Sequence, residues 1–180
     1  MTKIGNTIIE NHLDSTKYDY VRETVRGIMI DDKNHILMAY SDFYDDYMSP
    51  GGGIKEDESH ADALVRELSE EVGARGVKLI TPFGYTEEIR CSMRHNNRTI
   101  RQVSYYYICH VESYGEQKLI DLEKEYGLKP VWIDIDTAIA HNRLSIQNKN
   151  HQKQGIKTVL LREIEVLKKI KETYYNKSND

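Results

Sequence analysis

Three consecutive glycines, Gly51, Gly52 and Gly53, constrain this chain more than any other feature. They follow Pro50 and precede a run, Ala61 to Val72, with helical periodicity. Residues without a side chain let the backbone approach a ligand closely and enter conformations closed to other residues. A glycine loop delivered to the start of a helix therefore fixes one local geometry. In the helical run Ala61, Leu64, Val65, Leu68 and Val72 fall at i, i+3, i+4, i+7 and i+11, which makes one apolar stripe. Ser59 is placed to cap the helix, with Asp62 at its third helical position, and Gly73 is placed to stop it.

Strand-like runs flank this segment. Val21 to Ser41 reads as a hairpin, with VRGIMI and HILMAY on either side of the turn cluster DDKN. VKLITPFGYTEEIR and RQVSYYYICHVES read as two long partners joined by the basic loop CSMRHNNRT, and PVWIDID as a further strand. IKTVLLREIEVLKKIKETYY reads as a helix with Ile156, Val159, Leu160, Ile164, Leu167 and Ile170 on one side and Lys and Glu on the other. Strands, helix, strands, helix predicts an α+β fold with helices packed on a mixed sheet. Residues 1–20 read as an arm or edge strand ahead of one domain over 21–180.

At 180 residues the chain can bury a sizeable core. It is polar, with 30% charged residues and a mean hydropathy of -0.66. Recurrent runs of Val, Ile, Leu and Tyr still exclude wholesale disorder. A net charge of -4 argues against a nucleic-acid partner held by a global basic field. Cys91 and Cys109 make no disulfide framework and suit a reducing compartment. The start, MTKIGNTIIENHLD, has no apolar signal core, and the apolar run near VSYYYICHV is too short to span a bilayer. The expected location is the cytoplasm, with no membrane partner.

Glu67, Glu70 and Glu71 share one helical surface, away from the leucine stripe, and Glu58 sits just before the helix. Two like charges about 4 Å apart repel by roughly 4 kcal/mol at an effective dielectric of about 20. A divalent cation turns that repulsion into a binding site. Hard oxygen ligands suit Mg²⁺, with Mn²⁺ as an alternative, and Mg²⁺ is commonly completed by substrate phosphates. Taken alone, the glutamates also describe an ordinary solvated face, on which Arg66 and Glu70 form an i, i+4 pair.

The whole string from Ser49 to Ala74 narrows that choice. Gly52, Glu58, Arg66, Glu67, Leu68, Glu70, Glu71 and Gly73 stand at the spacing of the Nudix box, so the segment resembles the Nudix hydrolase family. Ala74 departs from the pattern, replacing a larger aliphatic residue at a packing position. The resemblance implies an α/β/α sandwich with a mixed sheet between helices. It implies Mg²⁺-dependent hydrolysis of a diphosphate bond in a nucleoside diphosphate linked to another moiety, X. It makes Glu67, Glu70, Glu71 and the Gly51 carbonyl metal ligands, with Glu58 and Arg66 bracing them. Family members often take one more glutamate from beyond the box. Glu125 and Glu123 are the candidates in this chain, and Glu125 is preferred by its place before Trp132. A non-catalytic nucleotide sensor of the same family is the alternative reading.

Other residues carry weaker signals. Gly51, Gly52 and Gly53 would lie against the substrate. Arg90, Arg94 and Arg98 belong to a locally basic stretch with His95 and Arg101, suited to the phosphates of a nucleotide. Tyr47 is the candidate for stacking on a base, among Tyr18, Tyr20, Phe43 and Tyr44. The histidines show no metal-ligand spacing, and no Gly-Lys-Ser/Thr phosphate loop occurs. The last helix leaves a homodimer open. Extra signatures of coenzyme A and NADH hydrolases are not evident, and the proline some ADP-ribose hydrolases carry downstream of the box is missing near Ser92 and Met93.

Overall fold

The computed structural model describes residues 1–93, 95 and 97–175. Its strands are β1 (Ile8–Ile9), β2 (Tyr20–Ile28), β3 (His35–Ser41) and β4 (Asp46–Met48), followed by helix α1 (His60–Val72). Then come β5 (Ala74–Arg75), β6 (Lys78–Cys91), β7 (Thr99–His110), β8 (Ser113–Tyr114), α2 (Asp121–Glu125) and β9 (Leu128–Asp134). Helix α3 (Ile135–Ser145), a 3-10 turn (Lys149–Gln152) and helix α4 (Val159–Ile170) complete the order, with a π-helical turn at Lys171–Tyr175.

The larger sheet runs β1-β6-β7-β2 and is mixed. β6 and β7 form the long antiparallel pair that the sequence predicts, while β2 lies parallel to β7 from Tyr20↔Ile100 to Ile28↔Ile108. β1 extends the far edge, parallel to β6, and Ile4 just before it is buried. A second sheet, β4-β3-β9, is antiparallel. The hairpin expected over Val21 to Ser41 is therefore replaced by two strands in different sheets. They meet where the chain leaves β2 and enters β3: Ile30 bridges Ile36 and the Leu37 amide donates to the Met29 carbonyl. β2 pairs instead with the longer β7, and β3 with β4 and β9, and those long-range pairings outweigh the local turn.

Alternation along strands puts two cores on opposite faces. Val25, Met29 and Leu37 pack with Leu64, Leu68 and Val72 of α1. Ile28, Ile36 and Met38 pack with Ile135, Ile139, Leu167 and Ile170 of α3 and α4. Helices thus cover both sides of the strands, as the sandwich requires.

Helix α1 starts and stops where its sequence says. Ser59 accepts from the Asp62 amide, and Gly73 takes the left-handed conformation and donates to the Leu68 carbonyl. Its buried face is Ala63, Leu64, Leu68 and Val72, so the stripe is rotated from the expected one: Ala61 and Val65 are exposed. Leu68→Ala is expected to lower the unfolding free energy by about 2–5 kcal/mol in a denaturant titration. A loss below about 1 kcal/mol would contradict its place in a packed core.

Beyond β9 the sequence hides a helix. Asp134 ends the strand and caps α3 by accepting from the Thr137 amide and hydroxyl. DLEKE, which carries both downstream glutamate candidates, is the short helix α2. Among the described residues no helix is long and apolar enough to cross a membrane.

Candidate active site

Residues 49–52 run beside β2, and nearly every backbone polar group there has a partner. The Ser49 amide donates to Glu163 at 2.7 Å, and the Arg26 guanidinium donates to the carbonyls of Ser49 at 3.0 Å and Gly51 at 2.5 Å. The Gly27 and Val25 amides donate to the carbonyls of Pro50 and Gly52, each at 2.9 Å. The Gly51 amide donates to Glu71 at 2.7 Å. Gly51 has φ +134°, and a Cβ there would collide with the Val25 carbonyl. At Gly52 a Cβ would occupy the place of the Glu67 carboxylate. Gly51 accepts glycine alone, whereas a side chain at Gly52 would push the Glu67 carboxylate out of its place.

Arg66 organises the face of α1. It grips both oxygens of Glu58 at 2.7 Å, donates to Glu67 at 2.6 Å and to the Gly53 carbonyl at 3.0 Å, and lies 3.5 Å from Glu70. A forked guanidinium is the only side chain able to serve so many acceptors at once. The hydrogen bonds from Arg66 hold the Glu58 carboxyl down at about 2, and Glu58 in turn raises Arg66. Glu58 and Arg66 thus join the helix to the glycine loop.

Glu71 behaves in the opposite way. Burial pushes its carboxyl up to about 8, with the charges of Glu67 and Glu123 adding to the rise. Burial also raises Glu123, which feels Glu67 and Glu70. Glu67, Glu70, Glu71 and Glu123 therefore share one neighbourhood. All four line a cleft of about 1330 Å³, along with Gly51, Gly52 and Gly53. Glu125 is exposed and does not line it, so the downstream glutamate that meets the box is Glu123 rather than Glu125. On the short α2, Glu123 also accepts from the Ile120 amide, which turns its side chain back towards the cleft while Glu125 points to solvent.

The other sequence candidates divide. Arg98 is exposed at the cleft wall. Arg90 lines the cleft as well but is no mobile phosphate finger. It is buried and spends its donors on Gln102 at 2.7 Å and the carbonyls of Gly155 at 2.9 Å and Cys91 at 3.1 Å. Arg94 lies outside the described residues. Tyr47 does not line the cleft. Strand alternation sends Asp46 and Met48 towards it and turns Tyr47 onto Tyr40 and His141, where Asn142 clamps both of its backbone groups.

Sequence reasoning missed two cations. Arg22 and Arg26 line the cleft from β2, and the alternation Tyr20, Arg22, Thr24, Arg26 was the available signal. It also missed Asp46 and His151, a buried pair 3.3 Å apart in the cleft wall. Burial, with Glu163 and Asp45 nearby, pushes Asp46 up to about 7, and burial lowers His151.

The donor set fits a hard divalent cation. Carboxylates that repel one another across a partly buried surface gain most from Mg²⁺ or Mn²⁺. The cage is not closed as it stands: among the described residues no three His, Cys, Asp or Glu side chains converge as a metal group. Glu67 is turned to Arg66 and Glu71 to the Gly51 amide.

The NUDIX domain model matches residues 21–154, which takes in the glycine loop, α1 and α2. The chain belongs to the NUDIX family. A stretch of 47 residues is 43% identical to the RNA pyrophosphohydrolase of a Nitratiruptor species, covering 26% of this chain and 30% of that protein. This chain thus matches under a third of that relative's length. An ADP-ribose pyrophosphatase structure from Streptococcus suis 89-1591 aligns with TM-score 0.52 and 16% identity, over 88% of this chain and 94% of that one. A NUDIX hydrolase from Nitrosomonas europaea aligns with TM-score 0.50 and 17% identity, over 81% and 88%. Both share the NUDIX fold with this chain.

Proposed function

We propose that this NUDIX chain is a Mg²⁺-dependent hydrolase of a diphosphate bond in a nucleoside diphosphate linked to a moiety X. One observation carries the reading: four carboxylates, Glu67, Glu70, Glu71 and Glu123, share a cleft with a glycine loop and the cations Arg22 and Arg26. The names of a pyrophosphohydrolase and a pyrophosphatase among the similar proteins agree with that bond type.

Glu67, Glu70 and Glu71 would hold the metal, together with the Gly51 carbonyl, which keeps a lone pair beyond the one Arg26 uses. When bound, Mg²⁺ neutralises phosphate charge and acidifies water. The protein groups do the rest. Arg22 and Arg26 offset the chain's net charge of -4 where the phosphates enter. Arg66 holds Glu67 and Glu58 in register. Glu123, raised by burial, takes a proton from the attacking water. The water oxygen bonds to phosphorus as the anhydride P–O bond breaks, and a phosphate-bearing group leaves.

The test is a Mg²⁺-dependent screen of nucleoside triphosphates, nucleotide sugars, ADP-ribose and dinucleoside polyphosphates. It is run on the wild type, Glu123→Gln and Glu125→Gln. Glu123→Gln should lose about 10²–10⁴ in kcat and Glu125→Gln should lose little. Equal losses would remove Glu123 from its role. Tight nucleotide binding with no turnover of anything would instead indicate a sensor.

A further inference from the structure

Helix α4 lies beyond the matched segment, yet it reaches the site. Its Arg162 and Glu163 are both buried, on a helix whose other face is charged and solvated. Burying an ion costs several kcal/mol, and apolar replacements of buried pairs are often neutral or stabilising. Packing α4 onto the sheet therefore gives no reason for the pair.

Their partners do. Glu163 Oε1 accepts from the Ser49 amide at 2.7 Å and also from the Ser49 hydroxyl. Arg162 stands 3.6 Å from the other Glu163 oxygen and donates to Glu88 at 2.7 Å. Glu88 is buried on β6, 4.0 Å from Arg90. A ladder of charges thus runs from the sheet interior to the residue before Pro50. Proline has no N–H, so the Ser49 amide is the last donor through which the entry to Gly51 can be fixed. Among the described residues, the other hydrogen-bond partners of 49–52 come from within 21–154: Arg26, Gly27, Val25 and Glu71. A carboxylate taking two bonds from one residue holds it more directionally than apolar contact can.

We propose that Glu163 is a positioning residue for the active site. By holding Ser49 through amide and hydroxyl, it sets where the Gly51 amide meets Glu71 and where Gly52 leaves room for the Glu67 carboxylate. It touches neither substrate nor metal. Only the kinetic part of its test rests on the hydrolytic reading above.

Glu163→Gln keeps the size and one acceptor, removes the charge and turns an amide donor towards Arg162. Its kcat should fall about 10–100-fold, the scale of a small misplacement of reacting groups. With Mg²⁺ saturating, KM should move by less than about threefold, because Glu163 makes no contact with substrate. Glu165→Gln, on an exposed residue of the same helix, should change neither. Hydrogen exchange gives a readout free of turnover: the Gly51 amide should exchange about tenfold faster in Glu163→Gln, while core amides of β7 do not. Mn²⁺ binding, read by electron paramagnetic resonance, should weaken in parallel.

If the wild type cleaves no phosphoric anhydride, the hydrolytic reading fails, and exchange and Mn²⁺ binding still decide the role of Glu163. If Glu163→Gln does not fold, Ser49→Ala deletes only the hydroxyl bond and should shift the loop exchange in the same direction. A folded variant with wild-type exchange at Gly51 and wild-type Mn²⁺ binding overturns the proposal.

Discussion

Glu71→Gln should leave a folded protein that turns over its substrate about 10²–10³-fold more slowly, the loss seen when one oriented polar group is removed from a preorganised site. The substitution is nearly isosteric. The amide oxygen can still accept from the Gly51 amide, as Glu71 does at 2.7 Å, so the glycine loop keeps its anchor. What goes is a negative charge at a carboxylate whose burial already opposes ionisation. On the metal-dependent reading proposed above, Mg²⁺ would offset that opposition in the wild type and have less to gain in the variant. Addition of Mg²⁺ should therefore raise the melting temperature of the wild type, by mass action on the folded state, and raise that of Glu71→Gln far less. Steady-state rates and thermal melts with and without Mg²⁺ measure both. Full activity in a folded Glu71→Gln would remove this residue from the metal set.

The sequence is most legible where chemistry fixes spacing. The glycine loop, the caps at Ser59 and Gly73 and the face carrying Glu67, Glu70 and Glu71 could all be read, because each depends on residues close in the chain. Long-range choices could not. Nothing local says that β2 pairs in parallel with β7 rather than folding onto β3, since that preference lies in the match between distant strands. Tyr47 illustrates a one-residue error: within Asp46–Met48 alternate side chains face opposite ways, and only the pairing of β4 shows which way is inward. Glu123 and Glu125 pose the same problem on a helix too short to show a period. Arg162 and Glu163 defeat pattern reading altogether, because a charged residue on an amphipathic helix is assigned to solvent unless its partners are known. Those partners, Glu88 and Ser49, lie far away in sequence.

Two of the raised carboxyls, Glu71 and Asp46, set much of how stability depends on pH. In the folded, metal-free protein Glu71 sits at about 8, against an ordinary value of 4.5. Asp46 sits at about 7, against 3.8. Between those limits the folded state keeps protons that the unfolded chain has released. Stability is thus present in full below the unfolded values and is lost as pH rises through the folded ones. His151 works the other way: its folded value is lowered by burial, so stability is gained as pH rises through its ordinary 6.5. Glu58 and Glu87, both held at about 2, contribute fully above about pH 5 and stay constant across the window. A tenfold change in proton affinity corresponds to about 1.4 kcal/mol, so the two carboxyls together outweigh one histidine. The chelated protein should lose a few kcal/mol of stability between about pH 5 and 8, a fall in melting temperature on the order of 10 °C for a chain of this size. Glu71→Gln and Asp46→Asn should each flatten part of that slope. Mg²⁺ should stabilise more at pH 8 than at pH 6, since the ion favours the ionised Glu71 that the metal-free fold disfavours. A flat stability profile in chelator, or a slope unchanged by both substitutions, would mean that neither carboxyl is held protonated by the fold.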